Sequence, residues 1–196
     1  MLHERHPCFV FHHFGLETSF WWITMVDLSP EDSHVIITAM EDQHRKFMKA
    51  ALKEAQKAYE KKECPIGCVI VKDGKVFVRA HNLKLTKSNA LMHAEVIAID
   101  KACKKLGDWR LNDMDMYVTL EPCTMCSGAI VQSRIRKVYF GAYEPKSGAV
   151  CSCNDIFNVE HGHNHHVEFE GGVMEEECSE LMLQFFKEMR ERNKLK

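Results

Sequence analysis

The chain has 196 residues, enough for one domain with its own core, because domains of about 100 to 150 residues are commonest. Its 26 Lys plus Arg against 28 Asp plus Glu give a net charge of -2, which excludes a global basic field for nucleic acid. Nine cysteines, an odd number, suit reduced thiols or metal ligands in the cytoplasm. The sequence has no run of about 18 apolar residues, so we expect no membrane span.

The first 39 residues differ in character from the rest of the chain. They are rich in His, Phe and Trp, lack sustained periodicity, and end in the turn-prone run from Leu28 to Ser33. We therefore divide the chain into a leader at 1–39, a main domain at 40–193 and a basic tail at 194–196. The leader either lies upstream of a natural start at Met40 or is a genuine extension that places Trp21 and Trp22 on a partner.

The main domain opens with a helix and a hairpin. Apolar residues recur at helical spacing between Met40 and about Lys62, which predicts an amphipathic first helix. Two runs rich in β-branched residues, 68–71 and 76–78, flank Asp73-Gly74. An Asp-Gly pair between such runs predicts two antiparallel strands.

The remaining elements alternate between helix and strand. We predict helices at 92–106, 123–133 and 175–193, and strands at 116–119, 137–140 and 167–169. Pro122 precedes the second of these helices and is expected at its first turn. Alternating strands and helices predict a layered α/β domain with a mixed sheet.

Two short motifs about thirty residues apart carry the chemistry: His93-Ala94-Glu95 and Pro122-Cys123-Thr124-Met125-Cys126. Each is a weak signal alone, since a Cys-x-x-Cys pair can also be redox-active or simply buried. On the first turn of a helix, Cys123 and Cys126 share a face, and the helix dipole stabilises their thiolates. His93 and Glu95 point in nearly opposite directions within a helix, so they can serve one ion only at its start.

Ligand number separates a structural from a catalytic site. Structural zinc has four protein ligands, whereas catalytic zinc typically has three and one open position for water. His93, Cys123 and Cys126 supply three, and Glu95 remains as a carboxylate that shuttles protons. His-x-Glu with Pro-Cys-x-x-Cys is the signature of the zinc nucleobase deaminases, so we expect hydrolytic removal of an amino group.

The chain from Met40 to about Asn193 resembles the bacterial tRNA-specific adenosine deaminases of the cytidine/deoxycytidylate deaminase superfamily. The stretches that carry the resemblance, beside Asn82, are 64–68, 93–99, 118–126 and 140–142. The resemblance implies a three-layer α/β/α cytidine-deaminase-like fold with a mixed five-stranded sheet and one Zn²⁺ per subunit. It also implies a homodimer that binds a tRNA anticodon stem-loop and converts the wobble adenosine of an arginine tRNA to inosine.

The resemblance assigns four substrate-binding residues. Asn82 would hydrogen-bond the flipped nucleoside, while Ile66 and Leu120 would line the base pocket. Without the resemblance, Asn82 is better explained as a turn residue and the other two as plain core. Glu144 stands where the family usually has an aspartate, and its longer carboxylate could still approach the substrate backbone.

Two further features concern substrate approach. Pro65-Ile66-Gly67 opens a strand and could allow the close backbone approach that a bound base needs. The basic end of the closing helix is a candidate RNA-backbone patch, to which Lys87, Arg134 and Arg136 could add, although a solvated helix end is equally common. An anticodon-loop base is unpaired and easily splayed out, which suits a buried zinc site.

Other interpretations of the same residues stay open. The enzyme could deaminate free guanine or cytidine, which would use the same zinc motif. A protein of another class, a non-catalytic zinc-stabilised RNA-binding module, would use Glu95 as a fourth ligand or not at all. His161 to His166 we interpret as a polar loop rather than a second metal site.

Overall fold

The structure is a computed structural model that describes residues 30–158 and 162–194. Contacts divide the chain into two compact units, Met1–Asp42 and Gln43–Lys196. Most of the predicted leader, including Trp21 and Trp22, lies outside the described residues, as do His161 and the last two residues of the tail. No helix among the described residues is long and apolar enough to cross a membrane.

Four helices and five strands follow one another along the described residues. They are α1 (Pro30–Glu60), β1 (Gly67–Lys72), β2 (Lys75–His81), α2 (Ala94–Leu106), β3 (Met114–Leu120), α3 (Thr124–Gln132), β4 (Lys137–Ala142), β5 (Glu168–Glu170) and α4 (Glu175–Lys194). Each predicted element is present, with ends shifted by a few residues apart from the start of α1. Helical periodicity and the Asp-Gly turn were therefore sufficient to predict which elements are present and in what order.

The start of the first helix was predicted wrongly. We placed it at Met40 and interpreted the preceding Pro30, Glu31 and Asp32 as part of a turn, whereas α1 begins at Pro30. Proline at the first helical position has no amide hydrogen to leave unpaired, so it is as common at a helix start as in a turn. The residues that suggested a turn are thus those that begin a helix.

The β1–β2 hairpin has the predicted turn. Asp73 (φ 49) and Gly74 (φ 68) both adopt left-handed backbone conformations. This is the requirement of the tight two-residue turn that matches the twist of paired strands. The two strands then pair antiparallel from Gly67 opposite His81 to Lys72 opposite Lys75.

The sheet is mixed, with strand order β2-β1-β3-β4-β5. β1 pairs antiparallel with β2 and β3, whereas β3, β4 and β5 run parallel. Alternate residues of the strands enter two separate cores, as the period of two in a strand requires. Met116 and Val118 pack with residues of α2 and α3, while Tyr117 packs with residues of α1 and α4. The three-layer arrangement with five strands is confirmed.

Four chain segments meet at one edge of this sheet. The carboxyl ends of β2, β3 and β4 lie there together with the start of β1, because β1 is antiparallel to β3. Both α2 and α3 begin at this edge, since each follows a segment that leaves it. The predicted site residues all lie in the segments that enter or leave this edge.

Gly67 has a different role from the one expected. A side chain at Gly67 would overlap the backbone of Ala51 and Ala55 in α1. The glycine therefore allows α1 to approach the first strand, rather than a base to approach the backbone. Its amide donates to Thr119 Oγ1 at 3.1 Å, which joins the start of β1 to the end of β3.

Candidate active site and metal centre

The amino termini of two helices form the centre of the site. His93 and Cys123 are the N-cap residues of α2 and α3, with extended backbones, and neither side chain caps its own helix. Their carbonyls accept the first helical hydrogen bonds, from Ile97 at 3.0 Å and Ser127 at 2.8 Å. Each side chain is thereby left to point away from the helix end, toward the other helix.

Three ligand atoms converge between these helix ends. The His93 Nδ1 lies 3.8 Å from Cys123 Sγ and 3.5 Å from Cys126 Sγ. All three atoms lie within 4.8 Å of one another, and Cys126 is fully buried. We call these three residues the metal cluster. One imidazole nitrogen and two sulfurs are donors that zinc prefers, and three ligands leave a fourth position open.

Pro122 precedes the N-cap Cys123 instead of occupying the first helical position, so the prediction placed the helix start two residues too early. α3 begins at Thr124, and the Pro122 carbonyl accepts a hydrogen bond of 2.9 Å from Ala149. The geometric argument for the cysteines is unaffected. Cys126 is the third residue of α3 and turns to the same side as Cys123.

The two thiols share their protons unequally. The Cys126 thiol donates a hydrogen bond to Cys123 and, with His93 adjacent, lowers the pKa of Cys123 to about 4. The same hydrogen bond, reinforced by burial, raises the pKa of Cys126. The low pKa of Cys123 and its position at the positive end of a helix dipole both favour the thiolate, which is the form that binds zinc.

Glu95 lies beside the metal cluster but is not part of it. Its side chain is 3% exposed, and Oε2 has no hydrogen-bond partner among the described residues. Burial raises the pKa of this carboxyl above its usual range. A buried carboxyl oxygen without a partner is costly, and such atoms concentrate at functional sites. This orphaned atom beside three soft donors fits a metal site with an adjacent proton carrier.

Asn82 links the end of β2 to the start of α2. It is buried, and its Oδ1 accepts a hydrogen bond of 2.8 Å from the Ala94 amide. That amide is one of the donors left unpaired at a helix start, so Asn82 supplies the cap that His93 does not. The amide nitrogen of Asn82 has no partner among the described residues. Asn82 thus has both a structural contact and a remaining donor.

Ile66 and Leu120 lie at the same edge of the sheet. Ile66 is 9% exposed and precedes β1, and its carbonyl accepts a 3.1 Å hydrogen bond from the Asn82 amide. Leu120 ends β3 and is partly buried, packed against both cores. The structure places both residues next to the segments that carry Asn82 and the cysteines. Apolar side chains at these positions can line a base pocket.

Glu144 follows β4 and is half-buried. Its Oε1 accepts a hydrogen bond of 2.9 Å from the Lys146 amide, and its carbonyl accepts one of 2.9 Å from Gly148. The carboxylate thus stabilises its own turn. Its charge contributes to raising the pKa of Cys64, after burial, to about 11, which places it near the start of β1. The expected contact with substrate stays a prediction.

Two buried carboxylates in the segments around the site, Glu63 and Glu121, could not be recognised from the sequence. Glu63 is 1% exposed and accepts backbone hydrogen bonds from Leu85 at 3.1 Å and from Thr86 at 2.5 Å. Glu121 is 2% exposed and accepts hydrogen bonds from the amides of Glu144 and Val150. The signal available in the sequence was a lone acid next to apolar strand residues. That signal does not reveal the partners, which lie more than twenty residues away.

The other residues named for RNA or metal binding are dispersed. Arg136 forms two hydrogen bonds to Asp115, of 2.9 and 2.8 Å, at the opposite edge of the sheet. Arg134 follows α3 and lies 5.8 Å from the exposed Trp109 ring, whereas Lys87 lies in the loop before α2. His165 Nε2 lies 2.7 Å from the carbonyl of Ile135. Arg134 and Arg136 lie away from Lys87, so the three do not form one basic surface.

A three-ligand cluster with a separate buried carboxyl is the arrangement of the zinc-dependent nucleobase deaminases. The family described as the cytidine and deoxycytidylate deaminase zinc-binding region matches residues 41–142, and the chain belongs to that family. The tRNA-specific adenosine deaminase of Bacillus subtilis is 49% identical over 148 residues, which are 76% of this chain and 91% of that protein.

Two solved structures show where the fold is shared. A tRNA:A34 deaminase, from a study of A-to-I editing at the wobble position of transfer RNA, superposes with a TM-score of 0.67. It is 44% identical, with 69% of this chain and 98% of that chain covered. A guanine deaminase from Bacillus subtilis is 37% identical with a TM-score of 0.51, over 58% of this chain and 73% of that one.

Proposed function

We propose that this protein hydrolyses the wobble adenosine of a tRNA to inosine and releases ammonia. The observation that carries the reaction type is the unpartnered Glu95 Oε2, buried beside three converging metal ligands. The likeness to tRNA-specific adenosine deaminases over nearly their whole length supports the substrate. Net charge gives no such support, so recognition of RNA must be local.

One Zn²⁺ per subunit is the proposed cofactor, held by His93, Cys123 and Cys126. When bound, zinc supplies an acidified water as nucleophile, since it lowers the pKa of a water in its open position to about 7. The rest of the catalysis falls to Glu95. Its carboxylate would take one proton from the attacking water as the C6–O bond forms and pass it to ring nitrogen N1. It would then take the proton of the new C6 hydroxyl and deliver it to the amino nitrogen as the C6–N bond breaks and ammonia leaves.

The protonation state of Glu95 fits this relay. A buried carboxyl with a raised pKa holds a proton more readily than an exposed one, and it releases that proton to a basic ring nitrogen. Water, adenosine, inosine and ammonia then balance, and Glu95 ends in its starting state. Asn82 would hold the flipped nucleoside through its remaining amide donor, between Ile66 and Leu120.

The proposed RNA surface extends along α4. This helix runs beside α1 in the same direction, since Arg45 pairs with Glu177 near its start and Tyr59 bonds Glu188 near its end. The end of α4, with Arg190, Arg192 and Lys194, therefore lies on the side of the molecule where α1 ends. Glu144, in the turn that follows β4, would approach the substrate backbone. An anticodon stem-loop is the proposed partner.

We infer a homodimer from the resemblance to the relatives, and a cytoplasmic location from the cysteines. Resemblance supports a homodimer, which light scattering on the purified chain tests by mass. Eight cysteines of the described residues are free thiols, which suits the reducing cytoplasm of a bacterium. The mass of a monomer would contradict the proposed homodimer but would leave the proposed reaction unaffected.

The decisive experiment is an inosine assay on a transcript of an arginine tRNA with adenosine at the wobble position. Inosine reads as guanosine after reverse transcription, so the native protein should convert the wobble position to G in sequencing. Glu95→Ala should lower the rate roughly 10²–10⁴-fold and retain its zinc. Asp100→Ala, an exposed acid on the same helix, is the matched control and should act as the native protein does.

Three results would contradict the proposal in different ways. Ammonia release from free guanine or cytidine without tRNA conversion would assign the smaller substrates. Full activity of Glu95→Ala would remove the proton relay. Loss of zinc from Glu95→Ala together with unaltered tRNA binding would favour a zinc-stabilised binding module instead.

A further inference from the structure

Glu121 is a buried acid that the proposed reaction does not use. It lies between the end of β3 and the ligand Cys123, and is 2% exposed. No cation among the described residues forms an ion pair with it, and it is not one of the three residues of the metal cluster. An isolated buried carboxylate is strongly unfavourable unless hydrogen bonds replace its water. Its environment therefore indicates a specific use.

Hydrogen-bond donors from a single segment surround this carboxylate. Oε1 accepts from the amides of Val150 at 3.1 Å, Cys151 at 2.9 Å and Ser152 at 2.9 Å. Oε2 accepts from the Glu144 amide at 3.1 Å and from the Ser152 hydroxyl. Five donors of this one segment, four backbone amides and one hydroxyl, thus satisfy both oxygens of the buried carboxylate.

The same segment, residues 144–152, is also attached to the metal-ligand loop by its backbone. Ala149 donates to the Pro122 carbonyl at 2.9 Å, and Cys123 and Gly148 form an antiparallel bridge. A side chain at Gly148 would overlap the Glu121 carboxylate. The carboxylate thus fills the space between the 144–152 segment and the loop that carries Cys123.

We infer that Glu121 is a positioning residue, which fixes the 144–152 segment and with it Glu144 against the loop of the metal ligand Cys123. This inference rests on the proposed function, because it concerns how substrate is held beside the cluster. Charge-assisted hydrogen bonds to backbone amides are stronger than neutral ones and fix direction as well as distance. Residues that support a site from behind its ligands typically contribute 10- to 100-fold to activity or metal affinity.

The test uses the full-length zinc-loaded protein with Glu121→Gln. Glutamine has similar volume, but its one carbonyl oxygen cannot accept from every donor and its amide nitrogen faces another donor. We expect the amides of 144–152 to exchange hydrogen at least about tenfold faster. For tRNA deamination we expect KM to rise about tenfold or more, with kcat changed much less, and the zinc content to stay at one per chain.

The matched control is Glu54→Gln. Glu54 is a similarly buried acid, 4% exposed, that accepts from Lys57 and His81 on the other side of the sheet. It should lower stability while it leaves both KM and the exchange of 144–152 at native values. If Glu54→Gln changes both as Glu121→Gln does, the effects report a general loss of stability and the inference is overturned.

A smaller perturbation covers the case in which Glu121→Gln does not fold. Ser152→Ala removes one donor to Oε2 and should raise exchange of 144–152 and KM in the same direction, by less. Native exchange and native KM in this variant would overturn the inference. Hydrogen exchange needs no substrate, so an inactive native protein would refute the proposed function and still leave the role of Glu121 measurable.

Discussion

The metal cluster and the loops beside it are positioned by different interactions. His93, Cys123 and Cys126 are fixed by helices that begin at or next to them, so a few consecutive residues determine their place. The loop after Asn82 and the 144–152 segment contain no helix that could fix them in the same way. Their backbones are fixed by two buried carboxylates, Glu63 and Glu121. Local sequence positions the metal cluster, while distant residues position the loops that we propose hold the substrate.

Removal of a ligand from the metal cluster should have the largest effect on activity. Cys123→Ala leaves two ligands for the metal, so zinc should be lost and activity should fall more than the roughly 10²–10⁴-fold expected for loss of a general acid-base. Elemental analysis of the purified variant and the inosine assay measure both quantities. The control is Cys103→Ala, which removes a thiol outside the cluster and should retain zinc and activity.

Retention of zinc by Cys123→Ala would show that other residues complete the site, and the three-ligand assignment would then be wrong. Loss of zinc from Cys103→Ala would be equally damaging, because no ligand atom of that residue belongs to the cluster. The two cysteines therefore test whether the cluster alone binds the metal.

The cluster could be predicted from sequence because its signals are short in range. Helix geometry explains why Cys123 and Cys126 share a face and why His93 must lie at a helix start, whereas the pairing of the two motifs came from the known zinc-deaminase signature. The partners of Glu63 and Glu121 could not be predicted. Most of them are backbone amides 22 to 31 residues away, which carry no side-chain signal and depend on how the loops are folded.

Gly67 is a second case in which the sequence suggested the wrong partner. A glycine beside Ile66 at a strand start was consistent with close approach of a ligand, yet the closest atoms belong to α1. The first turn of α1 shows the same difficulty, since proline and acidic residues suit both a turn and a helix start. Short motifs identify a conformation, but they do not identify the element that packs against it.

The packing role of Gly67 predicts a large effect on stability. Gly67→Ala forces the α1 backbone away from β1, because the added methyl would overlap Ala51 and Ala55. Overpacking of this kind costs typically about 1–3 kcal/mol and occasionally more. Chemical denaturation followed by circular dichroism measures the free energy of unfolding.

Gly128 provides the matched control for Gly67→Ala. It lies in α3 next to the cluster, has no atom within 4 Å of the position of an added methyl, and has no positive φ. Gly128→Ala should stabilise the protein by about 0.5–1 kcal/mol, because alanine favours helix. An unchanged free energy of unfolding in Gly67→Ala would contradict the role of Gly67 in the α1–β1 contact.

For the loop after Asn82 we predict a smaller effect of Glu63 on the free energy of unfolding, and this effect should depend on pH. Burial acts to raise the pKa of Glu63, but hydrogen bonds from Thr86 and Leu85 outweigh it, so its folded pKa lies below the model-peptide range. A lowered pKa means that the carboxylate contributes stability above about pH 4.5 and loses it as pH falls through the folded value. Glu63→Gln lacks this contribution at every pH.

The free energy of unfolding of the native protein should therefore exceed that of Glu63→Gln by about 1–3 kcal/mol at pH 7, with a difference that shrinks below pH 4.5. Thr86→Ala removes only the hydroxyl donor and should give a smaller difference with the same pH dependence. A difference that stays constant from pH 7 to pH 4 would show that the Glu63 charge does not fix the loop. In that case hydrogen exchange of residues 84–88 would not rise in either variant. The loop would then be held by its own turns, which are determined by the local sequence.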